Sequence, residues 1–139
     1  MKHLLIIDDE PFVRDALKRV LESDAVIVNT APDADAALIQ LRSQPTDLVI
    51  VDVIMPGTDG VELIRRLRAE YPSVRIVAIS GGGNFELAGY RPEAVSTRAY
   101  LAAATKAGAD ASLAKPFDTA DLEAVIRPLL DGLAPGARH

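Results

Sequence analysis

The chain has 139 residues, enough for one domain with a core of its own and no need of staples. Its formal net charge of −5 argues against a general phosphate-backbone binder, a task that wants a basic face. It has no cysteine, which excludes disulfides, thiolate metal sites and cysteine nucleophiles, and no apolar run reaches the roughly 18 residues of a membrane span.

Residues 3–8 read as a strand, with Leu4 to Ile7 running into Asp8-Asp9-Glu10. Those acids interrupt what would be a signal region after Lys2, so a cytoplasmic protein is the simplest reading. Pro11 suits the first turn of a helix. Val13, Leu17, Val20 and Leu21 then form one apolar stripe, with Arg14, Lys18 and Glu22 elsewhere on its surface. Residues 25–28 are a short second strand. Asp33 can cap a second helix that carries Ala37, Leu38 and Leu41 and stops before Pro45. Leu48 to Val51 is a short unbroken apolar run, as in a strand buried on both faces, and it leads straight into Asp52 and a Pro56-Gly57 turn.

Thr58 or Asp59 caps a third helix with Val61, Ile64 and Leu67 inward. Residues 74–79 form the fourth strand. The glycines after Ser80 open the least structured stretch, and 84–91 show no clear period. An Ala-rich helix is expected over about 92–107, ended by Gly108. Residues 109–114 form a weak fifth strand, ended by Lys115-Pro116-Phe117. Asp118 or Thr119 caps the last helix, which Pro128 should kink or shorten. The domain is expected over 1–132, with a frayed tail over 133–139.

A strand followed by a helix, five times over, implies an α/β fold with right-handed crossovers. Five strands suit the flavodoxin-like doubly wound parallel sheet of order 2-1-3-4-5, with helices on both faces. All its strands point one way, so Asp8-Asp9, Asp52, Ser80 and Lys115 gather at one edge. Three carboxylates crowded there raise at least one pKa unless a cation joins them. Oxygen ligands with open positions suit Mg²⁺. A hydroxyl and an ammonium beside them suit a phosphoryl group, which a carboxylate can accept covalently. Asp52 is the central candidate.

With those landmarks in order, the chain resembles the receiver domain of two-component response regulators, of the single-domain, chemotaxis-receiver-like kind. The resemblance rests on Leu5 to Glu10, Val51-Asp52, Met55 to Gly60, Ile79-Ser80 and Lys115-Pro116-Phe117. It implies that Asp52 is phosphorylated by a sensor histidine kinase or a histidine phosphotransfer protein. Asp9 would ligate Mg²⁺ directly, Asp8 often through water, and the Ile54 backbone carbonyl would complete the metal site with Asp52. Ser80 would be the switch hydroxyl and Lys115 the ion-pair partner of the phosphoryl group, aimed by a cis peptide before Pro116.

Such a domain is not an enzyme beyond its own phosphorylation and dephosphorylation. It switches the binding of a downstream protein, with no direct DNA or membrane contact expected. Glu10 reads as a first-turn helix charge, and neither histidine is given a role.

Two departures from the family stand out. The position three residues before the lysine, where many receivers carry an aromatic ring, is Ser112. The stretch from Ser80 to Gly108 is longer than in compact receivers, with the surplus near 83–92. The phosphorylation signal is therefore expected to leave through 81–92 and the helix after it. A phosphorelay intermediate is the alternative of the same class. A haloacid-dehalogenase-like phosphatase is the alternative of another, but it needs an Asp where this chain has Ile54. The Gly-rich stretch also suggests nucleotide binding, but no Walker pattern follows it. A domain cut from a longer protein is a further possibility.

Overall fold

The computed structural model describes residues 1–55, 58–80 and 93–131. The strands are β1 (Lys2–Ile7), β2 (Val26–Ala31), β3 (Leu48–Asp52), β4 (Ile54–Met55), β5 (Thr58–Asp59), β6 (Arg75–Ser80) and β7 (Ala111–Ala114). The helices are α1 (Pro11–Leu21), α2 (Ala34–Ser43), α3 (Gly60–Glu70), α4 (Glu93–Ala107) and α5 (Thr119–Leu130). Five strands form one parallel sheet in the order β2-β1-β3-β6-β7. With β4 and β5 set aside this is the expected 2-1-3-4-5 order.

Alternate residues of the central strands feed two cores, as the period of two requires. Leu5, Ile7, Val49, Val51, Ile76 and Ala78 pack with α2, α3 and α4. Leu4, Ile6, Leu48, Ile50, Val77 and Ile79 pack with α1 and α5. The apolar runs are continuous because both faces of the sheet are covered.

Capping follows the sequence closely. The side chains of Asp33, Asp59 and Asp118 accept from backbone amides in the first turns of α2, α3 and α5, and Asp118 forms a reciprocal capping box with Asp121.

Four local expectations need correction. β2 extends to Ala31 because Asn29 and Thr30, although polar, pair with Leu5 and Ile6 at the sheet edge. β7 is shorter than 109–114, since Ala109 and Asp110 precede it. Val20 is exposed, so α1 turns mainly Leu17 inward, with Val13 and Leu21 half-buried. Pro128 does not shorten α5, which continues to Leu130 with Leu129 and Leu130 buried. So close to the helix end, the missing N–H costs a single intrahelical bond.

The turn after Asp52 holds an element absent from the expectation: β4 and β5 pair antiparallel, Ile54 opposite Asp59 and Met55 opposite Thr58. Pro56, Gly57, 81–92 and the 132–139 tail lie outside the described residues. So does the expected route of the signal through 81–92.

Candidate functional site

Asp8, Asp52 and Ser80 are the buried polar residues among those described, and each stands where a strand leaves the sheet. Asp8 follows β1 and keeps its ladder going, donating its N–H to the Ala31 carbonyl at 3.2 Å. Its side chain turns back on the chain, so Oδ1 accepts the Glu10 N–H at 2.9 Å. Asp52 ends β3 and repeats the device, with Oδ1 accepting the Ile54 N–H at 2.9 Å. The β4–β5 pairing holds that Ile54 peptide in place. Asp9 is half-buried beside them.

Oxygen atoms of Asp8, Asp9 and Asp52 all lie within 4.8 Å of one another. On an octahedral ion at Mg²⁺–oxygen distances, adjacent ligands stand about 3.0 Å apart and opposed ones about 4.2 Å, so this all-oxygen donor set suits that ion once the carboxylates draw together or a water bridges to one of them.

Lys115 enters from the end of β7. Its backbone N–H donates to the Ser80 carbonyl, and the Lys115–Pro116 peptide is cis, as expected. Nζ lies 3.3 Å from Asp8 Oδ2, 3.3 Å from Asp52 Oδ2 and 3.9 Å from Glu10 Oε1.

Burial pushes the Asp52 carboxyl up, Lys115 pulls it down and Asp8 pushes it up again, with the balance raised to about 7. The carboxylate crowding expected from the sequence thus contributes through Asp8, although desolvation is the larger cause of the shift. Burial alone would lower the Lys115 ammonium, but Asp52 and Asp8 outweigh it and hold its pKa above the ordinary value. Ser80 is fully buried, and among the described residues its Oγ has no hydrogen-bond partner.

All the side chains singled out from the sequence therefore share one edge, together with the Ile54 peptide. Two further residues join them. Arg14, read as a surface charge, is half-buried and donates from Nη1 to the Asp8 carbonyl at 2.7 Å. Glu10, read as a helix charge, reaches Lys115. Both sit within six residues of Asp8, the distance over which a first helical turn folds back on a strand end. Ser112 is exposed on β7, opposite Ala78.

The model of the response regulator receiver domain matches residues 4–91. The chain belongs to that family. This receiver is 33% identical over 132 residues to the nitrogen assimilation regulatory protein NtrX of Azorhizobium caulinodans, covering 94% of the chain and 26% of NtrX. Among solved structures it is similar to a CheY-like receiver domain protein from Methanospirillum hungatei, with a TM-score of 0.77, 26% identity and 95% of each chain covered. It is also similar to TrrA from Thermotoga maritima, solved in complex with Mg²⁺-BeF, with a TM-score of 0.73, 29% identity and coverage of 94% of this chain and 100% of that one.

The family match ends before Lys115, so the likeness over the rest of the receiver rests on the relatives and structures. The receiver spans about half the length of most of the curated relatives it matches. Among the described residues no helix is long and apolar enough to cross a membrane.

Proposed function

We propose that this receiver is a phosphoacceptor switch that takes a phosphoryl group on Asp52 from a histidine kinase or a histidine phosphotransfer protein. The observation that carries the reading is the buried Asp52 carboxylate, lodged among Asp8, Asp9 and Lys115 with one oxygen bonded to the Ile54 N–H and the other facing the ammonium. Asp8, Asp9, Asp52 and the Ile54 carbonyl would hold Mg²⁺, which supplies charge neutralisation at the phosphoryl oxygens when bound.

Within the chain, an Asp52 oxygen attacks phosphorus, the phosphorus–nitrogen bond of the donor breaks, and the imidazole leaves with the electron pair. Lys115 offsets negative charge on the transferred group, and burial keeps competing water away. The Ser80 hydroxyl, without a partner among the described residues, is a donor for a phosphoryl oxygen. A charge-assisted bond of that kind contributes about 1.5–3 kcal/mol, enough to bias which surface the domain presents to a downstream protein. Relay to a second histidine is the same chemistry run onward from Asp52.

The test is incubation with a small phosphodonor and Mg²⁺, followed by intact mass. One phosphoryl group should add to the native chain and none to Asp52→Asn. An adduct that survives the substitution refutes the assignment.

A further inference from the structure

Asp8 and Asp52 each give one carboxylate oxygen to a backbone amide, Oδ1 in both cases. The remaining oxygen of each, Oδ2, faces Lys115 Nζ at 3.3 Å. The ammonium therefore competes for the same two carboxylates that a cation shared with Asp9 would use. A divalent ion placed there stands beside a second positive charge in a site whose two central carboxylates are buried, and the charges repel. Lys115 must loosen its hold on Asp8 and Asp52 as the ion enters. Among the described residues, the one other carboxylate in its range is Glu10, with Oε1 at 3.9 Å.

Glu10 is suited to receive it. It occupies the N-cap of α1, where short side chains normally bond the first free amides. It makes no side-chain capping bond. Its N–H is tied to Asp8, which fixes its backbone to the site. Its carboxylate is half-buried and reaches toward Lys115 rather than over the helix end.

We propose that Glu10 is a positioning residue for Lys115: it takes up the ammonium when a divalent cation enters among Asp8, Asp9 and Asp52. Ion entry and the position of the lysine are then coupled. The inference rests on reading the edge as a Mg²⁺-dependent phosphoacceptor site.

The experiment is calorimetric Mg²⁺ titration of the native chain, Glu10→Gln, Lys115→Met and the double variant, each first shown to be folded by thermal unfolding. Glu10→Gln should weaken Mg²⁺ binding about threefold or more while Lys115 is present. In the Lys115→Met background the weakening should be clearly smaller, because no ammonium needs a second partner and only the direct attraction of the Glu10 charge for the ion remains. An equal weakening in both backgrounds would mean that Glu10 acts only as a nearby negative charge, and would overturn the proposal. So would unchanged affinity in Glu10→Gln.

A second measurement needs no lysine variant. The ¹⁵Nζ resonance of Lys115 should shift on Mg²⁺ addition in the native chain and shift differently in Glu10→Gln, whereas identical responses overturn the role. If the native chain takes up no Mg²⁺, the proposed function itself fails. If it binds Mg²⁺ and the variants do not show the coupling, only the role of Glu10 fails.

Discussion

An ionised Asp52 sits where the fold disfavours it. Burial is the main cause and Asp8 adds to it, with the carboxyl raised from 3.8 to about 7 despite Lys115. Between those values the folded chain holds a proton that the unfolded chain has released, so stability falls as pH rises through that window. In metal-free buffer, Asp52→Asn should therefore be more stable than the native chain at pH 8, by on the order of 1–4 kcal/mol. The advantage should shrink as pH falls toward 4. Thermal unfolding of the pair across pH 4–8 checks this, and a difference independent of pH would show that Asp52 does not titrate in this range.

Lys115 acts in the opposite sense. Lys115→Ala removes the attraction that lowers the Asp52 pKa, so Asp52 should titrate higher still. The variant should lose more stability at pH 8, where both buried carboxylates want the ammonium, than at pH 5, where Asp52 is already neutral. Carboxyl ¹³C titration and melting at the two pH values test both parts.

At the scale of elements, the start of α3 closes onto the backbone of Val53, the residue next to Asp52. A Cβ built on Gly60 would lie 2.4 Å from Val53 Cα and 2.9 Å from its carbonyl carbon and oxygen. Backbone meets backbone there, so neither side yields by a rotamer change. Gly60→Ala should destabilise the chain by about 1–3 kcal/mol. It should also slow phosphoryl uptake from a small donor, because Val53 and Ile54 carry the peptide bonded to Asp52. Denaturant midpoints and intact-mass time courses measure the two effects, and a fully stable, fully active variant would show that the close approach is unimportant.

The strands around this contact were legible because continuous apolar runs such as Leu48 to Val51 leave few alternatives to a doubly covered strand. The helix starts were legible because Asp33, Asp59 and Asp118 cap by short-range geometry. The β4–β5 pair was not. Two-residue strands carry no period, and their pairing depends on how Gly60 seats α3 against Val53. The Glu10–Lys115 ion pair was not legible for a related reason: Glu10 marks a helix start, while Lys115 is 105 residues away in sequence.

Over the whole molecule, the two edges of the sheet carry different burdens. The carboxyl edge concentrates like charge. The amino edge is tied by Arg68 of α3, whose guanidinium donates to the carbonyls of Pro72, Val74 and Gly108 and pairs with Asp110 at 2.8 Å. Asp110 in turn accepts the Ile76 N–H at 2.8 Å. Gly108, with φ of +132°, brings its carbonyl to that guanidinium, and a Cβ there would meet the Arg68 side chain at 2.9 Å.

One planar fork thus joins the end of α3, the start of β6 and the turn between α4 and β7. Sequence alone could not show this, since Arg68 stands in one basic run with Arg65 and Arg66, which are exposed and pair along the helix with Glu62 and Glu70. Arg68→Ala should cost about 2–4 kcal/mol, and Arg68→Lys should recover only part, because a point charge cannot make the forked bonds. The six-residue β6 separates the two edges by roughly 20 Å. Mg²⁺ affinity and phosphoryl uptake should therefore be unchanged in Arg68→Ala at temperatures where it is folded. The stability changes of Arg68→Ala and Asp52→Asn should add to within about 0.5 kcal/mol in the double variant. Denaturant unfolding of the four chains decides the matter: a large departure from additivity would mean that the amino-edge tie and the carboxyl edge are energetically one unit, and that strain at the site is transmitted through the sheet.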